Sequence, residues 1–167
     1  MSVKPAVKHE LHACQQQVSL LLDSQREQRS IGMDSETLQP DALLTFFTER
    51  NLPFAYYVRS CSGIAIGEAS AYEKNIATLN MYMAHLRATE KAQIDNTIAT
   101  LNEYKSRNQA IGLSADTLRP DRFMSFFAVR ELPFAMYVPQ GERALGDPSA
   151  YERNIRVLEH SLATLQA

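Results

Sequence analysis

The sequence predicts a mainly α-helical fold that contains the same unit twice. Residues 31–58 and 111–138 are identical at 15 of 28 positions at an offset of 80 residues, and such self-similarity is typical of repeated architecture. Around these stretches, apolar residues recur at steps of three and four, as they do on one face of a helix. We therefore expect a tandem pseudo-two-fold duplication of a helix–helix–hairpin–helix unit, packed as one compact helical domain. The class becomes α+β if the two short hairpins form.

The composition is that of a soluble globular protein. The chain has 167 residues, of which 45% are hydrophobic and 22% charged, and its formal net charge is −2. It contains no apolar run of about 18 residues, which a membrane span needs, and no basic excess of the kind found in nucleic-acid-binding domains. Its two cysteines do not make a disulfide framework. We expect a cytoplasmic protein without a membrane partner.

The repeat offset sets the predicted domain boundaries. Residues 1–7 are expected to form a flexible N-terminus, residues 8–87 the first repeat and residues 88–167 the second. One repeat alone is small and would leave an apolar helix face exposed, so the two repeats are expected to share one core.

The first two helices of each repeat follow from apolar spacing and helix-end signals. In the first repeat, an apolar stripe predicts a helix from about Glu10 to Arg29. A second helix is expected to begin near Pro40, because proline is tolerated in a first turn and Asp41 favours the positive helix end. Pro53 ends that helix, since the residue before a proline avoids helical geometry.

A short hairpin is expected after the second helix of each repeat. The aromatic and β-branched residues 54–58 and their counterparts 134–138 favour strands, and turn residues follow each of them. The alternative for residues 54–66 and 134–145 is a continuing short helix.

The third helix of each repeat begins at the sequence Ser-Ala-Tyr-Glu, which is typical of a capping box and starts at Ser70 in the first repeat. The apolar stripe after Ser70 would reach Glu90, whereas a new stripe starts out of phase at Ile94. We therefore expect a break near Thr89, with residues 90–109 forming the first helix of the second repeat.

Met81 and Tyr82 are the leading candidates for a binding surface. With Met83 they form three consecutive large residues, which cannot all face one core. Only Met83 lies on the apolar stripe, so Met81 and Tyr82 either face a partner or cover the neighbouring helix 90–109. Flexible methionine and amphipathic tyrosine are common in binding surfaces.

Two polar pairs at equivalent positions of the repeats are further binding candidates. Asn75 and Asn154 lie in helix interiors, which asparagine disfavours, so they either hydrogen-bond the neighbouring hairpin or contact a partner. Arg50 and Arg130 lie in a last helical turn, where the helix dipole stabilises a cation. That structural role competes with a binding role.

The sequence does not favour a catalytic site, a metal or a cofactor. His9, His12 and Cys14 are the only cluster of metal-ligand types, and the histidines are three residues apart instead of the four that a zincin helix needs. A nucleophile needs an adjacent base and an orienting group, and no such set is visible along the sequence.

These observations favour a non-enzymatic protein–protein interaction or regulatory module that acts through a helical face. Its partner would be another protein or a second copy of the chain, in a homo-oligomer. A nucleic-acid-binding regulator is the first alternative, although the Phe-rich segments are too apolar for a major groove. A small enzyme with a site at the junction of the two repeats is the second, because a pocket formed only by folding can contain catalytic groups.

Overall fold

The fold is mainly α-helical, as the sequence predicts, in a computed structural model that describes residues 6–59, 65–114, 116–139 and 144–165. These residues form five helices and one two-stranded antiparallel sheet. In chain order the elements are α1 (Val7–Glu27), α2 (Ala42–Glu49), β1 (Tyr57–Arg59), β2 (Ala65–Gly67), α3 (Ala71–Ser106), α4 (Arg122–Val129) and α5 (Ser149–Leu165). Within the described ranges, no helix combines the length and the apolar character that crossing a membrane requires.

The chain divides into two units. The N-terminal unit comprises Glu10–His85, and the C-terminal unit comprises Leu86–Ala167 together with the residues up to His9. The helices α1 and α3 therefore each contribute residues to both units.

The N-terminal helix begins earlier than its apolar spacing predicts. α1 starts at Val7, and Ala6 before it is buried. Of the N-terminus that we expect to be flexible, residues 1–5 lie outside the described part of the chain.

The predicted helix break near Thr89 is wrong, because α3 is one continuous helix of 36 residues. The helix changes the face that it buries along its length: Met83 is buried in the N-terminal unit and Ile94 in the C-terminal unit. Glu90, on the line of the first stripe, is also buried and forms an ion pair. Neither glycine nor proline interrupts α3, so the out-of-phase stripe marks a change of buried face and not a helix end.

The predicted capping boxes do not form within the described residues. Ser70 donates its hydroxyl to the carboxylate of Glu68, and Ser149 donates to Asp147. An acidic side chain two residues earlier therefore engages each serine. Glu152, the predicted reciprocal partner of Ser149, forms an ion pair elsewhere.

The first predicted hairpin is present and starts later than predicted. β1 and β2 pair antiparallel with Val58 opposite Ile66, while residues 54–56 lie before the strand. The predicted turn after residue 59 falls on residues 60–64, which lie outside the described part of the chain.

The second predicted hairpin is reduced to one bridge. Val138 and Leu145 exchange two backbone hydrogen bonds of 2.9 Å, and residues 140–143 lie outside the described residues. Strand pairing, and not the alternative short helix, is what the described parts of both segments show.

Aromatic pairs pack in the interior of the N-terminal unit. Phe47 and Phe54 meet edge-on with ring centroids 5.0 Å apart, and Tyr57 and Tyr72 do so at 5.5 Å. Phe47 is completely buried, as its helix face predicts, whereas Phe54 is only partly buried. Edge-to-face pairs add about 0.5–1.5 kcal/mol to the burial of the rings.

The C-terminal unit contains the same types of contact. Phe127 and Phe134 pack edge-on at 4.9 Å, and Tyr137 and Tyr151 at 5.5 Å. Phe127 is completely buried and Phe134 partly buried. These rings belong to one apolar cluster with residues of α3 and α5.

Candidate functional site

Each unit contains a tight loop that carries an exposed leucine. We call these segments the leucine loops: residues 33–40 with Leu38, and residues 113–120 with Leu118. In both, the two end residues form an antiparallel backbone bridge. Residue 115 of the second loop lies outside the described residues. The loops therefore close on themselves before the following helix begins.

One aspartate anchors each leucine loop to the helix that follows. The Asp41 carboxylate accepts a hydrogen bond from the Leu44 N–H in the first turn of α2 at 2.9 Å, and another from the Gly32 N–H at 2.7 Å. Asp121 accepts the equivalent pair before α4, 3.1 and 2.7 Å long. Each aspartate thus caps a helix and fixes the start of a loop, which gives it a structural role in both units.

A second aspartate shapes the first leucine loop. The Asp34 carboxylate accepts hydrogen bonds from the backbone N–H groups of Thr37, at 3.0 Å, and Glu36, at 2.8 Å. These bonds hold the pKa of Asp34 below its ordinary value. The N–H of Leu38 then donates to the Asp34 carbonyl at 2.8 Å, which closes the turn directly before the leucine side chain.

The two loop leucines have a left-handed backbone conformation. Their φ angles are 58° at Leu38 and 54° at Leu118, and their exposed fractions are 57% and 51%. This conformation costs an L-residue with a Cβ atom about 1–2 kcal/mol, and glycine adopts it far more readily. Each unit therefore presents a large apolar side chain from an unfavourable backbone position.

The strand pair of each unit exposes a further large apolar residue. Ile66 and Leu145 lie opposite a buried valine in their respective pairs, and each is 48% exposed. The exposed apolar surface of each unit is therefore not limited to its leucine loop.

The structure gives Met81 and Tyr82 different environments. Met81 on α3 is 74% exposed, the highest value among the described large apolar residues. The Tyr82 hydroxyl donates to the Glu10 carboxylate at 3.1 Å. Burial, followed by the nearby charge of Glu10, raises the pKa of Tyr82 to about 12. Only Met81 of this pair is largely open to a partner, because Tyr82 packs inside its own unit against α1.

Arg50 and Arg130 connect a helix end to an aromatic ring and a carboxylate. Both guanidinium groups lie 3.4 Å from a phenylalanine centroid and pair with a glutamate: Arg50 with Phe46 and Glu10, Arg130 with Phe126 and Glu90. Burial acts to lower the pKa of Arg50, but the hydrogen bond and charge of Glu10 outweigh it and the pKa is raised. Of the two roles considered for these arginines, their contacts favour the structural role at a helix end over a role in binding a partner.

Asn75 and Asn154 hydrogen-bond the segment before the neighbouring strand. Asn75 accepts from the N–H of Ala55 and donates to its carbonyl, and Asn154 pairs in the same way with Ala135. Both asparagines are 1% exposed. Of the two alternatives for these residues, the structure shows the hydrogen bond to the neighbouring segment.

His9, His12 and Cys14, the cluster of metal-ligand types in the sequence, have different environments in the structure. His9 lies 3.0 Å from a Glu131 carboxylate oxygen, and His12 is exposed. Cys14 is completely buried, and this burial, with the charge of Glu10, raises the pKa of its thiol to about 11. In the described part of the chain, no three His, Cys, Asp or Glu side chains are grouped to hold a metal.

The sequence interpretation missed Leu38 and Leu118 as candidate binding residues. Both lie in the similar stretches 31–58 and 111–138, where their apolar character resembles that of core residues. The available signal was a leucine directly inside a turn, between polar residues and a proline. The left-handed backbone that exposes each side chain depends on the bridged loop and is not visible in spacing.

Comparison with known proteins gives no relative: no family model, no curated protein and no solved structure matches the chain.

Proposed function

We propose that this protein is a non-enzymatic interaction module that binds another protein, or a second copy of itself, through its leucine loops. The observation that carries the proposal is the exposed, left-handed leucine at the same position of both units, Leu38 and Leu118. The exposed Met81 on α3 supplies a helical contact of the kind that the sequence predicts.

The backbone of Leu38 and Leu118 supports a role for their side chains. A turn that needed only its shape would be more stable with glycine or asparagine, which tolerate a left-handed conformation. Leucine adds about 1–2 kcal/mol of strain and also exposes apolar surface. A partner pocket that buries the leucine would offset both costs, because a fully buried leucine side chain contributes about 1.5–3 kcal/mol.

We further propose that the two units are copies of one helix–helix–hairpin–helix ancestor. Three contacts occur in both units and support this view: an aspartate that caps a helix, an arginine over a phenylalanine ring, and an asparagine that hydrogen-bonds the segment before a strand. A chain with two copies of one loop can engage two equivalent sites, and such bivalency raises the overall affinity without new contact types. Superposition of the two units in an experimental structure tests the duplication, and different helix packing would contradict it.

Site-specific photo-crosslinking tests the proposed binding surface. A photoreactive amino acid replaces Leu118 in one variant, Leu38 in another and Glu103, which is exposed on α3, in the control. We expect discrete crosslinked products from the two loop positions and none from Glu103. A product of twice the chain mass identifies a second copy as the partner, and any other mass identifies a different protein.

The same variants distinguish the alternative functions. A nucleic-acid-binding regulator would crosslink to nucleic acid, which nuclease treatment reveals. An enzyme with a site elsewhere would give no product that is specific to the loop positions. Either result would contradict the interaction proposal.

A further inference from the structure

A cavity of about 360 Å³ lies within the C-terminal unit, between α4 and the second half of α3. Its volume falls in the range of small-molecule sites, roughly 300–1,000 Å³. The helix α3 lines it with Gln93, Asn96, Thr97 and Thr100. The helix α4 lines it with Arg122, Phe123 and Phe126, and Arg130 lines it from the C-terminal cap of α4.

The charge of the cavity lining is positive. Two of its side chains are arginines and none is acidic. Arg130 is paired with Glu90. Arg122 is exposed and forms no hydrogen bond or ion pair with another described residue, although its guanidinium carbon lies 5.4 Å from the centroid of the Phe123 ring. The adjacent Asp121 is already engaged by two backbone N–H groups. The planar fork of Arg122 is thus open to a carboxylate or a phosphate, the groups that guanidinium binds in bidentate geometry.

The remaining lining favours a ligand with a partly apolar body. The hydroxyls of Thr97 and Thr100 donate to carbonyls of their own helix, both at 2.9 Å, so their oxygens are left as acceptors. Phe126 contributes an aromatic side chain beneath the Arg130 guanidinium. The lining thus combines two phenylalanine side chains with six polar ones, and small-molecule sites contain both apolar walls and convergent polar groups.

The lining is particular to the C-terminal unit. At an offset of 80 residues, Arg122 corresponds to Ala42, and the two threonines correspond to Gln17 and Leu20. The N-terminal unit therefore has neither the unpaired arginine nor the small threonine side chains at these positions. The Arg130 stack, by contrast, occurs in both units. The C-terminal unit is therefore distinguished by Arg122, Thr97 and Thr100 and not by Arg130.

We propose that this cavity binds a small organic anion, whose carboxylate or phosphate is bound by Arg122 and whose apolar body lies against Phe126. The site is separate from the leucine loops, so it goes beyond the proposed interaction function. The two anionic groups share the same guanidinium chemistry, and probes of each kind distinguish them.

Chemical-shift mapping of the full chain by NMR, with benzoate and phenyl phosphate as probes and benzamide as the neutral control, tests the proposal. We expect at least one anion to shift amide resonances around Arg122 and Asn96, in the roughly millimolar range that so small a probe reaches, and benzamide to bind more weakly. Arg122→Ala should lower the affinity about ten- to hundredfold, as expected for charge-assisted hydrogen bonds. Alanine already occupies the equivalent position 42, so this variant should keep its fold. Arg119→Ala removes the same charge outside the cavity lining and should leave the affinity unchanged.

A second variant blocks the cavity without changing its charge. Thr97→Gln with Thr100→Leu introduces the residues of the equivalent helix positions and should abolish probe binding while Arg122 is retained. The proposal is overturned if neither anion binds or if Arg122→Ala binds as tightly as the unmodified chain. It is also overturned if the variant with Thr97→Gln and Thr100→Leu retains full affinity.

Discussion

The side-chain amide of Asn75 forms two hydrogen bonds of 2.9 Å with the backbone of Ala55: its oxygen accepts from the Ala55 N–H, and its nitrogen donates to the Ala55 carbonyl. Asn154 makes the same contact with Ala135, at 2.9 and 2.8 Å. Each asparagine is buried in a helix and holds the segment that leads into the neighbouring strand pair. Because the amide acts as donor and acceptor at once, no other uncharged side chain of the same shape replaces it.

Asn75→Asp is expected to destabilise the protein in a pH-dependent way. At pH 7 an aspartate keeps the acceptor but loses the donor, and a buried charge faces the Ala55 carbonyl. We expect a loss of about 3 kcal/mol in the free energy of unfolding. Burial raises the pKa of the new carboxyl in the folded state, and the protonated form restores the donor. The loss in the free energy of unfolding should therefore become smaller as the pH falls towards the pKa that this carboxyl has in the unfolded chain.

Urea denaturation at pH 7 and pH 5 measures this effect, with Asn102→Asp on the exposed surface of α3 as the control. The control should change stability by less than about 0.5 kcal/mol at both pH values. An equal loss in the two variants, or a deficit for Asn75→Asp that grows at low pH, would contradict the role assigned to the amide.

Met81 and Tyr82 are adjacent, but truncating them should change stability by different amounts. Met81→Ala removes a 74% exposed side chain and should change stability by less than about 0.5 kcal/mol. Tyr82→Ala removes partly buried ring contacts and the hydrogen bond to Glu10, so we expect a loss of about 2 kcal/mol. Thermal denaturation of the two variants decides this, and equal melting temperatures would contradict the placement of Tyr82.

Breaking the Glu90–Arg130 pair should destabilise the protein. The two side chains are 7% and 16% exposed, and Glu90→Gln leaves the arginine without a counter-charge in a poorly solvated position. Removing one partner of a buried pair costs about 3–5 kcal/mol, and we expect about 2–3 kcal/mol here because Arg130 retains some contact with solvent. Glu103→Gln, at an exposed position, is the matched control. An unchanged unfolding midpoint for Glu90→Gln would show that the pair contributes little.

The thiol of Cys14 should be protected in the folded protein. Its pKa is raised from 9.0 to about 11, mainly by burial. Because the folded state holds this proton more tightly, the contribution to stability is complete below pH 9 and is lost as the pH rises to about 11. In a Cys61→Ser background, alkylation by iodoacetamide at pH 8 should be slow natively and fast in urea. Similar rates in both conditions would show that Cys14 is accessible.

Several elements were predictable because their signals are local. Asp41 was expected at the positive end of a helix, and in the structure it caps the first turn of α2. Phe47 lies on the apolar face of the same short helix and is buried. The strand residues before position 67 were likewise marked by β-branched and aromatic side chains.

Other features depend on contacts that the sequence does not display. The phase change before Ile94 was interpreted as a helix end, but α3 continues because its second half buries a different face in the other unit. The environment of Tyr82 depends on a hydrogen bond to Glu10, 72 residues away in sequence. The exposure of Leu38 depends on the backbone bridge between Met33 and Pro40. The spacing of apolar residues carries no information on such long-range contacts or on backbone conformation.

The measurement that tests the central proposal most directly is the binding affinity of a variant in which both loop leucines are glycine. Leu38→Gly with Leu118→Gly removes the proposed contacts and places a residue that adopts φ near 55° without the strain of a Cβ atom. Sedimentation velocity follows self-association, and a binding isotherm follows any partner that crosslinking identifies. We predict that binding is lost while the melting temperature stays the same or rises. Binding at unchanged affinity, or a large fall in the melting temperature, would contradict the account.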